Sequence, residues 1–186
     1  MRNTKNKSLI LQQYITNPFL YNGRKFDIRT YMLLTTNNGK LRGYWYQEGY
    51  IRTSSFTWTL EEISDTYIHL TNDAIQKYSS NYGKYEPGNK LTYSELQRYF
   101  DSVAKNTNKH CNFHNDIYPQ LKEIASDAIK SCFCFIDPQR TGNNFEIFGF
   151  DFMIDANFKP WLIEINTNPC LEMSCPVLDR IIPSMV

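Results

Sequence analysis

The sequence predicts an α+β fold in which an antiparallel sheet of hairpins packs against helices, and three observations lead there. Residues 25–36, KFDIRTYMLLTT, alternate in the two-residue rhythm of a strand and run into Asn38-Gly39, a strong hairpin turn, before LRGYWYQEG returns. Residues 145–155, FEIFGFDFMID, and 161–166, WLIEIN, form a second apolar pair across a loop of ordinary hairpin length. Between the two hairpins lie two stretches with the apolar spacing of amphipathic helices.

Taken in chain order, residues 8–15, SLILQQYI, read as a short strand that Asn17-Pro18 interrupts. In the first hairpin Phe26, Ile28 and Thr30 share one face, and Lys25, Asp27 and Arg29 share the other. Such a charged row is most often a solvated face; otherwise it is a clamp for phosphate or carboxylate, since a guanidinium offers forked donors. Arg52, in EGYIRTSS, adds a cation beyond the return of the hairpin. HLTNDAIQKY, 69–78, reads as a helix with Thr71 or Asn72 at its N-cap, a place where anions bind. TYSELQRYFDSV opens on Thr92-x-x-Glu95, a capping box, and sets Leu96, Tyr99, Phe100 and Val103 on one stripe. YPQLKEIASDAIKSCF repeats that rhythm, and both helices read as scaffold, while PVLDRIIPSMV reads as a helix cut short. NYGKYEPGNK, the polar stretch 105–115 and DPQRTGNN are loops.

The second hairpin raises a chemical question. Residues two apart on a strand share a face, so Glu164 and Asn166 point together with Leu162, and Trp161, Ile163 and Ile165 point away. If Asp155 and Pro160 close the loop, opposed residues sum to 315 and Asp151 faces Glu164. Two carboxylates directly across a ladder repel, so one is protonated or a cation lies between them. Carboxylate and amide oxygens suit a hard cation such as Mg²⁺, which takes phosphate oxygens as further ligands. The same residues read separately would be a bulge and an edge-strand salt bridge, and a slip of one residue would separate them.

The chain has 186 residues, 41% of them hydrophobic and 15% aromatic, enough for one domain with a sizeable core. A net charge of +1 gives no overall argument for nucleic acid or membrane, so any charge selectivity is local, and the plentiful aromatics follow core periodicity rather than a base-stacking pattern. No window resembles a signal peptide or a membrane span, and five irregularly spaced cysteines read as free thiols in a reducing, cytosolic compartment. His110-Cys111-x-x-His114 has zinc-ligand types without a second ligand pair and reads mainly as a polar loop.

The ordered set QQYI, GRKFDIRTY, EGYIRTSS, HLTN, NYGKYEPGN, FGFDFMID and PWLIEINTNP, running from about residue 11 to the end, resembles the tubulin tyrosine ligase family, whose catalytic core has the ATP-grasp fold. The resemblance implies Asp151, Glu164 and Asn166 as Mg²⁺ ligands bridging ATP phosphates. It implies Gln12, Gln13, Tyr14 and Ile15 as the adenine-side hinge, with Gln13 where the family commonly has Lys. Lys25 and Asp27 would face nucleotide, Arg29 and Arg52 would hold the acceptor carboxylate or the incoming amino acid, and His69, Leu70, Thr71 and Asn72 would line the junction of nucleotide and substrate. The implied chemistry is ATP-dependent amide ligation of glutamate, glycine or tyrosine to a carboxylate, usually on the acidic tail of tubulin, through an acyl phosphate. The setting it implies is cytoplasmic, on microtubules or cilia.

By the same pattern a further N-terminal half, with lysines for the ATP phosphates, precedes the hinge. Residues 1–10 are then a basic segment and 11–186 the C-terminal portion of a catalytic domain incomplete at its N-terminus. TNPCLE departs from the Gly-Ala-Pro pattern of tyrosine ligase proper and stands nearer the ligase-like relatives. Two readings stay open: a tubulin-tail ligase, and a non-catalytic module that keeps the tail-binding or nucleotide-binding surface.

Overall fold

The computed structural model describes residues 11–107, 109–139 and 142–186. The basic segment 1–10, with the first part of the strand expected over 8–15, lies outside the described residues. Residues 11–15 form no strand: Leu11 through Tyr14 are exposed, so no apolar face is buried to hold one. Among the described residues the chain first joins the sheet at Pro18, which bridges to Asp155, with Phe19 N–H donating to the Ile154 carbonyl at 2.8 Å.

All strand pairings among the described residues are antiparallel. Strand β1 (Arg24–Asn37) lies at the centre, and β2 (Lys40–Trp45) returns along its second half. Asn38 and Gly39 take φ values of 49° and 73°, the left-handed pair that an Asn-Gly hairpin requires. Strand β3 (Tyr50–Thr57) pairs with the first half of β1, and β4 (Lys90–Leu91) adds to β3. On the other side β5 (Asn144–Ile154) pairs with β1 and β6 (Pro160–Asn166) with β5. The sheet order is β4-β3-β1-β5-β6, with β2 also on β1.

One face carries the main core: Phe26, Ile28, Ile51, Phe148, Phe150, Phe152 and Ile154 pack against α3 (Tyr93–Thr107), a π-helical turn (Phe113–Ile117) and α4 (Tyr118–Ile136). The opposite face holds the short helices α1 (Thr66–His69) and α2 (Asp73–Gln76). It also carries a smaller cluster of Tyr31, Tyr50, Leu178, Ile181 and Ile182 under α5 (Pro176–Met185). The expected capping box is formed: Glu95 N–H donates to Thr92 Oγ1 at 3.2 Å, and Thr92 N–H to Glu95 Oε2 at 2.7 Å. Thr92→Ala removes half of it and should cost about 1 kcal/mol in a urea titration; an unchanged midpoint would show the cap to be idle.

The second hairpin arrives at the expected pair by a different route. Its loop closes one residue tighter than expected, with Ile154 opposite Pro160 and Asp155 N–H on the Lys159 carbonyl at 3.0 Å. Asp155 holds that turn, its Oδ1 accepting from the N–H groups of Asn157 and Lys159. The ladder then shifts between Phe152–Leu162 and Asp151–Glu164, so Ile163 is an extra residue and Asp151 does face Glu164. The extra residue overturns the expected faces of β6. Leu162 packs with Ile165 on the main core, and Ile163 turns to the side of Glu164 and Asn166.

Among the described residues, no helix is long and apolar enough to cross a membrane, and all five cysteines are free thiols. The zinc reading of His110, Cys111 and His114 fails: among the described residues no three His, Cys, Asp or Glu side chains gather for a metal. Cys111 turns into the core, where burial and Asp116 push its thiol up to about 11, and His114 packs edge-on against Tyr93 and Phe113.

Candidate functional site

The Lys25-Asp27-Arg29 row is not a solvated face, for the three are only 8%, 7% and 6% exposed. The segment of α1 and α2 covers it, tied to β3 through Gln76. Gln76 Oε1 accepts from Ser55 N–H (3.0 Å) and Ser55 Oγ (2.6 Å), and its Nε2 donates to the Tyr67 carbonyl (3.1 Å). Antiparallel register then sets Asp27 opposite Arg52 and Arg29 opposite Asp151. Side chains opposed in this way on one face are close enough to bond.

They form an alternating chain of charge. Arg29 grips Asp151 with two bonds, Nε to Oδ1 at 2.5 Å and Nη2 to Oδ2 at 2.9 Å. Arg52 grips Asp27 likewise, at 2.7 and 2.5 Å, and reaches Asp151 Oδ2 with Nη2 at 2.8 Å. Thr71 Oγ1 donates to Asp27 Oδ2 (2.7 Å), and Asn166 Nδ2 to Asp151 Oδ2 (3.3 Å). Asp151 is therefore already paired with guanidinium, and among the described residues neither arginine pairs with Glu164 across the ladder. Burial pushes the Asp151 carboxyl up, but the bidentate Arg29 bond and the Arg52 charge outweigh it and hold the group below the usual carboxylate range. Burial likewise opposes the charge of both arginines, and their carboxylate partners more than restore it.

Above this floor opens a cavity of about 650 Å³. Lys25, Asp27, Arg29, Arg52, His69, Leu70, Thr71, Asn72, Asp151, Glu164 and Asn166, all singled out from sequence, line it. Lys25 Nζ donates to the His69 carbonyl at 2.5 Å, and burial pulls its ammonium below the ordinary lysine range. His69 is anchored through both ring nitrogens. Its Nε2 donates to the Glu62 carbonyl (3.1 Å), and its Nδ1 is hydrogen-bonded to Tyr14 OH (2.7 Å). Tyr14 thus reaches the site indirectly, through His69. Gln12, Gln13 and Ile15 do not line the cavity, and the two glutamines are exposed.

The cavity wall also carries oxygens of the kind a hard cation takes. Glu164 is exposed to the cavity, with no Lys or Arg in ion-pair reach among the described residues. Asn166 turns its amide nitrogen to Asp151, which leaves its oxygen open. Asp151 Oδ2 takes three donors and Oδ1 only one. Open carboxylate and amide oxygens are the ligand types Mg²⁺ takes, so the residues fit.

The family model described as the Tubulin-tyrosine ligase family matches residues 1–186. The chain belongs to this family. It is 36% identical over 181 residues to "Tubulin glycylase 3D" of Tetrahymena thermophila, covering 96% of this chain and 17% of that protein. It is 33% identical to "Probable tubulin polyglutamylase ttll-9" of Caenorhabditis elegans (89% of this chain, 37% of the relative) and 34% identical to human "Protein monoglycylase TTLL8" (94% and 20%). The chain thus spans a minor part of the length of each of these relatives.

For a chain of the tubulin-tyrosine ligase family, several wall residues escaped the motif reading. Tyr50 lies two residues before Arg52 and shares its face, a signal that period-two counting offers. Asp73 directly follows HLTN. Ile163 and Leu178 gave no signal, the first reaching the wall through the bulge and the second through a distant helix.

Proposed function

We propose that the chain is the C-terminal portion, from about residue 11, of an ATP-grasp catalytic domain. The domain joins an amino acid to a carboxylate of an acidic protein tail, that of tubulin, at the expense of ATP. One observation supports this reading above the rest: two buried guanidiniums and a lysine meet at the floor of a cavity that also receives Glu164 and Asn166. Making an amide from a carboxylate brings anions together twice, when a carboxylate meets a phosphate and when phosphate departs. Arg29 and Arg52 each use Nε and Nη2 for the carboxylates, leaving Nη1 open among the described residues. Those N–H groups are fixed before substrate arrives, so they stabilise developing charge without reorganising, an effect worth about 3–4 kcal/mol per donor in such sites. Lys25, His69, Leu70, Thr71 and Asn72 would line the nucleotide side, with Gln12, Gln13, Tyr14 and Ile15 as the hinge. Asp151, Glu164 and Asn166 would hold Mg²⁺, which supplies Lewis-acid polarisation of phosphate oxygens when bound. The names of the relatives point to glycine or glutamate as the added residue and, for two of them, to tubulin as the acceptor; with tubulin as acceptor, the setting of the reaction would be cytoplasmic and microtubule-associated.

The test is incorporation of labelled glycine, glutamate or tyrosine into tubulin with Mg-ATP, with Glu164→Gln run beside it. Label from one amino acid, falling roughly a hundredfold or more in the variant while the thermal melt is unchanged, is expected, since Glu164 is exposed and supports no core. Folded protein that incorporates none of the three yet binds the tail without nucleotide would instead make it a non-catalytic binding module.

A further inference from the structure

The ligase reading leaves unassigned what holds the incoming nitrogen. The cavity walls carry five carboxylates. Asp27 and Asp151 have both oxygens bonded to guanidinium, and Glu164 belongs to the proposed metal set. Glu172 is exposed on the irregular segment between β6 and α5, and no hydrogen bond among the described residues fixes it. Asp73 differs from all of these. Its Oδ1 accepts from Lys90 Nζ at 2.5 Å and from Tyr82 OH at 3.3 Å, while Oδ2 has no hydrogen bond among the described residues. The Asp73 side chain is 37% exposed, whereas that of Lys90 is 1% exposed and also donates to the Gly88 carbonyl at 2.9 Å. A carboxylate on the cavity wall is thus fixed by an ammonium that has no other carboxylate partner among the described residues.

We propose that Asp73 Oδ2 accepts an N–H of the incoming amino acid and aims its nitrogen at the activated acceptor carboxyl. The proposal rests on the ligase reading and assigns that site its amine-binding residue. Such a nucleophile must arrive uncharged, with its lone pair free. The Lys90 ammonium offsets the Asp73 charge, so the wall orients an N–H without favouring the protonated over the neutral amine. The nitrogen lone pair then forms the N–C bond, and the C–O bond to phosphate breaks with its electron pair. The proton surplus to the amide leaves with the phosphate as HPO₄²⁻.

Asp73→Asn tests this with two nucleophiles. Labelled glycine and glutamate report the amino-acid reaction. Hydroxylamine, small and mostly uncharged at neutral pH, traps the activated carboxyl as a hydroxamate without needing an amine subsite. The variant should raise the KM for the incorporated amino acid about tenfold or more, the cost of one bond to a charged group. Hydroxamate formation and ATP affinity should hold within about twofold of wild type. Equal loss of both products would make Asp73 a purely structural residue and overturn the assignment, as would unchanged amino-acid incorporation. Wild-type protein that forms no hydroxamate with tubulin and ATP would fail the ligase reading itself, and this assignment with it.

Discussion

Asp151→Leu should lower the stability of the protein by about 3–5 kcal/mol, a fall of roughly 6–20 °C in melting temperature for a domain of this size. The leucine loses little packing; the cost lies in what it leaves behind. Arg29 is 6% exposed and has Asp151 as its one carboxylate partner among the described residues, so its charge would remain in a low-dielectric layer with nothing to meet it. Arg52 would keep Asp27 and lose less. The double variant Arg29→Met with Asp151→Leu removes both charges and should recover most of the loss, because a buried pair replaced whole by apolar groups is often neutral. Strict additivity of the two single losses would show that the pair carries no coupling and that the argument is wrong.

The same pair dictates a pH dependence. The folded state holds the Asp151 carboxyl below its ordinary value, so the unfolded chain binds that proton more readily. Its contribution to stability is fully present above the unfolded value of about 4 and is lost as pH falls from there through the depressed folded value. Wild-type stability should therefore drop below about pH 4 more steeply than that of the double variant, read from guanidinium midpoints at each pH.

What the sequence made legible was whatever is decided locally. Asn38-Gly39 settles its turn by backbone sterics alone, Thr92 and Glu95 settle a helix start, and the period of two separates Phe26 and Ile28 from Asp27 and Arg29. What covers a face is decided elsewhere in the chain. The Lys-Asp-Arg row reads as solvated until residues 66–76 are pinned over it by Gln76, and nothing in the row announces that. The facing of Asp151 and Glu164 was reached through two offsetting departures, a turn one residue tighter and a bulge one residue longer. Hydrophobicity does not mark such a bulge, because Leu162 and Ile163 are interchangeable in pattern yet face opposite sides. Asp73 was hidden for another reason: it reads as an ordinary first-turn acid, and its tie to Lys90 spans 17 residues.

Gly49→Ala should be about as damaging as the loss of Asp151, through packing rather than charge. Gly49 ends the connection from β2 to β3, where Tyr118 OH donates to the Gln47 carbonyl at 3.0 Å and Glu48 pairs with Arg180 of α5 at 2.5 Å. A methyl group at Gly49 would land on the Arg29 carbonyl and on Tyr93 OH at once. Neither can retreat cheaply. The carbonyl belongs to the central strand, and Tyr93 is 7% exposed, its ring tilted against that of Phe113 with centroids 4.5 Å apart. Overpacking of this kind costs about 1–3 kcal/mol where side chains can shift, and a backbone obstacle puts this position at or above the upper end. The strain would also displace β1 at Arg29, so incorporation of amino acid should fall further than stability alone explains. The check is a denaturant midpoint beside an activity assay, both at a temperature well below the melt. A folded Gly49→Ala protein with wild-type activity would mean that the connection relaxes outward, and that Arg29 is held by Asp151 rather than by the strand beneath it.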